Sequence, residues 1–181
     1  LMGLEANLLA DGMCDLPGDI GMFDVVLLGY HRAVLPRDGL MWRAVFTRFT
    51  LAPDARVRVA RAMVRTMERY PIDIIAHPGE YLPVDIPTLA RGAARLGVAL
   101  EINAKHLSMS VAELQQAAEE GAAFVINSDA HWPDAVGRVE AALALARAAG
   151  VLRRVTNRPG ADRELTQGLR LSREGAFFSL S

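Results

Sequence analysis

Histidine and carboxylate side chains stand at the ends of several predicted strands, where they could hold metal ions. His31 closes the apolar run MFDVVLLGYH, and His77 follows IDIIA. Asp129 and His131 close AAFVINSDAH, and residues two apart in extended backbone point to the same side. Imidazole and carboxylate groups suit zinc, manganese and iron. Two such ions activate a bound water and stabilise a transferring phosphoryl group, so the pattern indicates hydrolytic metal chemistry.

Four other polar residues accompany these candidates. If LMGLEAN is a strand, we expect Glu5 at its end. Glu101 and Asn103 lie near the end of VALEIN, and we expect them to support the metal ligands from behind. Arg32 follows His31 and is a candidate for binding substrate phosphate, because a guanidinium group binds oxyanions in a bidentate manner. We predict no catalytic residue beyond the metal site.

Each of these residues alone has an ordinary explanation. A histidine after a strand is more often a hydrogen-bonded loop residue than a ligand, and we interpret His106 in that way. A lone Glu5 would more often be a surface glutamate. Because several ligand types recur at successive strand ends, the joint pattern favours a metal site.

The elements that must position these residues alternate along the chain. Short β-branched runs predict strands over 22–31, 72–79, 98–103, 122–131 and 153–157. Longer amphipathic runs predict helices from Pro53 to Pro71, over 84–97, from Ser110 to Gly121, over 133–150 and over about 161–170. Asp85 is a predicted N-cap, and Ser110 with Glu113 forms a capping-box signature.

This alternation predicts an α/β fold with a mostly parallel sheet covered by helices. An open doubly wound sheet and a barrel both fit the pattern. No glycine-rich phosphate loop follows the first strand, so a nucleotide-binding Rossmann fold lacks its main signature. In parallel α/β folds the working face lies at the carboxyl ends of the strands, where the candidate ligands stand.

Composition narrows the class of protein further. The 181 residues carry a net charge of −1 and are 51% hydrophobic, which predicts one domain with a packed core. The lack of a basic excess disfavours a duplex-binding face. The single cysteine excludes an internal disulfide and fits a reducing compartment. Apolar runs stay below the ~20 residues of a membrane span, so we expect a cytoplasmic protein.

Several motifs together resemble the PHP (polymerase and histidinol phosphatase) superfamily. They are GLEANLLADG, FDVVLLGYH, DIIAHPG, ALEIN and INSDAH with Gly137 beyond it, in this order. VTNRPGADRELTQGL is similar to the family's closing strand and helix. The resemblance implies a distorted (β/α)7 barrel that holds up to three metal ions, commonly manganese, zinc or iron.

The resemblance also implies a role for each candidate. Glu5 would bridge two metals, and His31 and His77 would complete the shell of the second metal. Asp129 would ligate the first metal and His131 the third. The family's opening His-x-His pair and two further histidines have no counterpart here. We therefore expect residues 1–181 to form a PHP-like hydrolase domain truncated at its N-terminus and nearly inactive alone.

For the intact protein, the predicted function is metal-dependent hydrolysis of a small-molecule phosphate monoester, as in histidinol phosphatase. One alternative is a PHP 3′–5′ exonuclease acting on DNA ends, which the near-neutral charge disfavours. A second is a degenerate, non-catalytic PHP-like scaffold. A third is an amidohydrolase-type barrel, in which Lys105, the only lysine, would have to supply any carbamylated ligand. The sequence predicts no oligomeric state.

Overall fold

A mostly parallel six-stranded sheet carries the fold, and the computed structural model describes it within residues 2–47 and 50–157. The strands are β1 (Gly3–Ala10), β2 (Met13–Cys14), β3 (Val25–Gly29), β4 (Ile74–Ile75), β5 (Ala99–Asn103) and β6 (Ala123–Asn127). Their order is β2-β1-β3-β4-β5-β6. Only β2 runs antiparallel to its neighbour, so the carboxyl ends of the other five strands meet at one edge.

Among the described residues, five α-helices accompany the strands, four between strands and one after β6. They are α1 (Gly39–Phe46), α2 (Pro53–Arg69), α3 (Ile86–Leu96), α4 (Val111–Glu119) and α5 (Glu140–Ala148). Leu28, Ile75, Leu100 and Phe124 form one fully buried row across β3 to β6 within the main core. Successive residues of a strand face opposite sides. The next row, which contains Glu5 and Leu27, therefore lies on the other face of the sheet.

Several predicted helix boundaries are confirmed because they depend on local hydrogen bonds. Asp85 caps α3 by accepting a hydrogen bond from the amide of Thr88, and Gly97 ends the helix in the left-handed conformation. Ser110 and Glu113 form both bonds of the capping box of α4. α2 begins at Pro53, as predicted, because the first turn of a helix does not need the amide proton that proline lacks.

Three expectations at element level are wrong. The predicted helix over 133–150 is a short 3₁₀ turn, Pro133–Ala135, followed by α5, because Gly137 adopts a positive φ of 79° that ends the first turn. The predicted strand over 153–157 reduces to a single bridge between Val155 and Phe124 after the 3₁₀ turn Leu152–Arg154. Glu5 lies within β1, not at its end.

The sheet is not closed into a barrel within the described residues, because β2 and β6 form its two ends and do not pair with each other. The seven-stranded barrel implied by the resemblance is therefore seen only as an open sheet of six strands. The helix predicted over about 161–170 lies outside the described residues. In the part of the chain that the structure covers, no helix has the length and apolar character needed to span a membrane.

Candidate metal centre

Three of the predicted ligands converge at the carboxyl edge of β1, β3 and β4. The ligand atoms of Glu5, His31 and His77, called the Glu5 triad below, all lie within 4.8 Å of one another. Glu5 reaches this edge from inside β1, whereas His31 and His77 follow β3 and β4. Within residues 2–47 and 50–157, this is the one group of at least three His, Cys, Asp or Glu residues close enough to hold an ion.

The spacing and chemistry of the Glu5 triad fit a divalent transition metal. The Oε1 atom of Glu5 lies 3.1 Å from Nε2 of His77 and 3.5 Å from Nε2 of His31. Two donors of a tetrahedral ion at ~2.05 Å are about 3.3 Å apart, so both separations match ligand-to-ligand edges. One carboxylate with two imidazoles is a donor set typical of zinc, manganese or iron.

The ring of His31 is held by a second hydrogen bond behind the site. Its Nδ1 atom lies 2.8 Å from Oδ1 of Asn7, which accepts a hydrogen bond from Nδ1 and turns Nε2 toward Glu5. Asp15 fixes Asn7 in turn, accepting from its backbone amide and its side-chain amide. Such outer partners orient a ligating imidazole and raise its basicity.

Glu101 accepts a hydrogen bond from the backbone of His77, and its role behind a metal ligand remains a prediction. Its Oε2 atom accepts from the backbone amide of His77 at 2.7 Å and from Nδ2 of Asn103 at 3.0 Å. Its Oε1 atom accepts from Nδ2 of Asn127 at 2.9 Å. Asn103 also donates to Oδ2 of Asp129 at 3.2 Å, so this buried network joins the two halves of the site.

Backbone strain is concentrated at two of the predicted ligands. His77 has a φ of 29° and Asp129 a φ of 50°, and no other non-glycine residue in the described ranges has a positive φ. Such conformations cost of order 1–3 kcal/mol each and persist only where surrounding contacts enforce them. The hydrogen bonds to Glu101 and Asn103 are such contacts, because they hold the residues that follow β4 and β6 in turns toward the site.

Negative charge around His77 favours a cation at this position. Burial lowers the pKa of His77, but the hydrogen bond and charge of Glu5, with the charges of Glu101 and Asp129, outweigh burial and raise it. The field of these carboxylates attracts either a proton or a metal ion. His77 itself is buried, whereas Glu5 and His31 are 35% and 40% exposed, so the centre is open to solvent on one side.

Asp129 and His131 form a second cluster beside the Glu5 triad, together with Lys105 and His106. We call these four residues the Asp129 cluster. Nδ1 of His131 lies 3.5 Å from Oδ1 of Asp129, and Nε2 of His106 lies 3.6 Å from Oδ2. The ammonium group of Lys105 lies 3.1 Å from Nδ1 of His131 and 4.0 Å from Asp129. The ligand atoms of Asp129, His131 and His106 do not all lie within 4.8 Å of one another, unlike those of the Glu5 triad.

Tyr81 and Arg32 lie beside the histidines of the centre. The Tyr81 ring lies 5.8–6.3 Å from the rings of His106, His77 and His31. The guanidinium carbon of Arg32 lies 5.2 Å from the centre of the Tyr81 ring, a cation–π distance. This stacking holds Arg32 next to the histidines, where its predicted role in phosphate binding remains a prediction.

Sequence reasoning did not place four residues in this region, Asn7, Tyr81, Lys105 and His106. Lys105 was interpreted only as a candidate carbamylated ligand, and His106 as a loop residue. Both amides donate to Oδ1 of Asn103, which folds the segment after β5 back over the site. Their position directly after a strand that ends in Asn103 was the available signal.

Curated proteins with similar sequences share one kind of name. A protein of Shewanella sp. (strain ANA-3), named "Probable phosphatase", is 33% identical over 159 residues, covering 82% of this chain and 57% of that protein. Another of the same name, from Shewanella sp. (strain W3-18-1), is 36% identical over 161 residues, covering 83% and 58%. These relatives are named phosphatases. The chain spans somewhat more than half the length of the relatives it matches, and no protein-family model matches it.

Proposed function

We propose that this chain is part of a metal-dependent phosphatase that hydrolyses a small-molecule phosphate monoester. The observation that carries the proposal is the Glu5 triad, a carboxylate and two imidazoles within ligand distance at the carboxyl edge of a parallel sheet. Similarity to proteins named phosphatases supports the reaction class. The order of the motifs supports the narrower assignment to the PHP superfamily, with histidinol-phosphatase-like chemistry.

Glu5, His31 and His77 would hold a divalent ion, and we propose manganese, zinc or iron as the ion. Such an ion lowers the pKa of a bound water and stabilises negative charge on phosphoryl oxygens. Glu5 would neutralise part of the charge of the ion, and Asn7 keeps the His31 ring in the orientation that presents Nε2. Glu101 fixes the strained backbone of His77 through its amide, so the site is preorganised before substrate arrives.

Asp129 and His131 are candidate ligands for further metal ions. They would ligate additional ions in the intact protein, as the resemblance implies, with up to three ions in total. Arg32, held against Tyr81, faces the same open side and would bind a phosphoryl oxygen of the substrate. Exposure on this side allows an ester to approach without movement of the sheet.

A metal-binding and activity experiment tests the proposal. The 181-residue chain and the relative from Shewanella sp. (strain W3-18-1) would each be dialysed against zinc or manganese, and bound metal measured by mass spectrometry. Hydrolysis of p-nitrophenyl phosphate and histidinol phosphate would be followed with and without manganese. We expect about one tightly bound ion per chain here, and faster manganese-dependent hydrolysis by the longer relative.

Two variants make the test specific. Glu5→Gln removes the shared carboxylate of the triad, and we expect it to lose the bound ion. Glu140→Gln removes an exposed carboxylate on α5 and should retain the ion. The proposal fails if the chain retains no ion where the relative does, or if Glu5→Gln and Glu140→Gln bind metal equally.

A further inference from the structure

A groove beside the Asp129 cluster has the chemistry of an anion-binding site. It encloses about 380 Å³ and is lined by side chains that include Lys105, Asp129, His131, Trp132 and Arg138. Lys105 and Arg138 bring two positive charges to it, and Asp129 is the one carboxylate among its lining residues, while Asp134 outside the lining pairs with Arg138. None of the residues of the Glu5 triad lines it, so a group bound in this groove differs from one bound over the triad.

Lys105 is fixed at the inner end of the groove. Its backbone amide donates to Oδ1 of Asn103 at 2.9 Å, and Asn103 is buried and tied to Glu101 and Asp129. The ammonium group contacts His131 at 3.1 Å while its side chain stays 43% exposed toward solvent. A cation with an anchored backbone and a solvent-facing head loses less freedom when it binds an anion.

Arg138 and Trp132 form the outer part of the groove. Arg138 is paired with Asp134 four residues earlier at 3.1 Å, but both side chains are about 70% exposed, and exposed pairs of this kind are weak. Its guanidinium group can therefore exchange Asp134 for another anion at little cost. Trp132 is 73% exposed, which is unusual for so large an apolar side chain, and it offers a flat surface to a ligand.

We propose that this groove binds a second anionic group of the substrate, so that the preferred substrates are phosphate esters that also carry a carboxylate or another phosphate. Lys105 and Arg138 would bind this second group while the phosphoryl group to be cleaved lies over the Glu5 triad. The inference rests on the proposed function for the identity of the first group. It adds the class of substrate, which neither the triad nor the similar proteins specify.

Binding of non-hydrolysable phosphonates to the zinc-loaded 181-residue chain tests the inference without relying on turnover. The ligands are propylphosphonate, 3-phosphonopropanoate and propane-1,3-bisphosphonate, with longer homologues to vary the reach. The readouts are calorimetry and the fluorescence of a Trp42→Phe variant, in which Trp132 is the remaining tryptophan. We expect the doubly anionic ligands to bind about tenfold more tightly than alkylphosphonates and to change Trp132 fluorescence.

Variants assign the preference to the groove. Lys105→Gln should remove most of the tenfold preference and Arg138→Gln part of it, whereas Lys105→Arg should retain it. Arg147→Gln, which removes an exposed cation on α5 outside the groove, serves as the matched control. In all of these variants the affinity for alkylphosphonates should stay unchanged.

Three results would overturn the inference: no preference at any ligand length, a preference that survives Lys105→Gln, or an equal loss of alkylphosphonate binding in Lys105→Gln. The last result would mean that Lys105 binds the phosphoryl group itself. Failure of the proposed function would be seen in a different measurement, as the absence of Glu5-dependent metal binding. The comparison of carboxylate with bisphosphonate shows which second anion the groove accepts.

Discussion

Glu101 is buried and holds the backbone of His77, one of the predicted metal ligands. Its two oxygens accept hydrogen bonds from His77, Asn103 and Asn127. Both carboxylate oxygens of Glu101 therefore act as hydrogen-bond acceptors. A neutral amide in its place would direct an NH₂ group at one of these donors, whichever way it is turned.

We expect Glu101→Gln to lower the free energy of unfolding by about 1–3 kcal/mol, because a buried donor loses its acceptor. The same change should weaken metal binding by roughly 10- to 100-fold, the usual effect of losing an outer partner of a ligand. Urea unfolding and a competition titration with a metal chelator measure the two effects. Glu119→Gln, an exposed change on α4, is the control and should alter neither quantity.

Gly29 ends β3 at a point where a side chain would lie too close to two predicted metal ligands. A Cβ atom there would lie 3.0 Å from Oε1 of Glu5 and 3.2 Å from Cε1 of His77. We expect Gly29→Ala to shift both groups and to reduce metal affinity on the order of tenfold, as misplaced supporting contacts do. In Gly39→Ala, where a Cβ would meet nothing within 4 Å, the chelator titration should give wild-type affinity.

At the residue scale, residue types and their positions after predicted strands identify the donors, and the family resemblance alone groups Glu5, His31 and His77 at one metal. Glu5, His31 and His77 were predicted together with Asp129 and His131 as metal ligands. The structure brings the first three within ligand distance and places the other two in a neighbouring cluster. The order of the strands in the sheet determines which ligands lie together. β1, β3 and β4 are neighbours because strands that are far apart in the sequence pair with one another. The roles of all five as ligands remain predictions.

At the element scale, the start of α4 depends on a reciprocal pair of hydrogen bonds. The hydroxyl of Ser110 accepts from the amide of Glu113, and Glu113 accepts from the amide of Ser110 at 2.8 Å. We expect Ser110→Ala to destabilise the chain by about 1 kcal/mol, the usual value of an N-cap. Urea unfolding should show a lower midpoint with an unchanged slope. Ser108→Ala, just before the cap, should leave the midpoint within error.

Caps were predictable because the groups that form them lie within four residues of one another. The interruption between Pro133 and Glu140 was not predicted, because the apolar period continues through it and only the conformation of Gly137 breaks it. β4 is two residues long although the apolar run around it is longer. Pro71 bounds that run on one side, and the strained turn at His77 bounds it on the other. Long-range packing sets that turn, so the local sequence does not reveal it.

At the scale of the whole molecule, Cys14 reports on unfolding. The thiol is buried on the short edge strand β2, and burial raises its pKa, so both access and thiolate formation oppose its reaction in the folded state. We expect slow labelling by a thiol reagent that becomes fast in urea at the same pH. Manganese at about 100 times its Kd should add ~2.7 kcal/mol of stability and slow labelling through global unfolding about 100-fold. Glu5→Gln should show no such protection, and protection of equal size there would contradict a role for the triad.

Glu5 and His77 are separated by 72 residues, yet they share a hydrogen bond across β3. Contacts between such distant residues form late, because the entropy of closing a long loop is lost before these contacts can stabilise the chain. A metal ion would therefore meet its three predicted ligands only after β1, β3 and β4 have assembled. Interactions absent from the folding transition state change the unfolding rate alone. Manganese should then leave the refolding rate of this chain unchanged and lengthen the lifetime of the folded state. The ion would stabilise the fold only by slowing its unfolding.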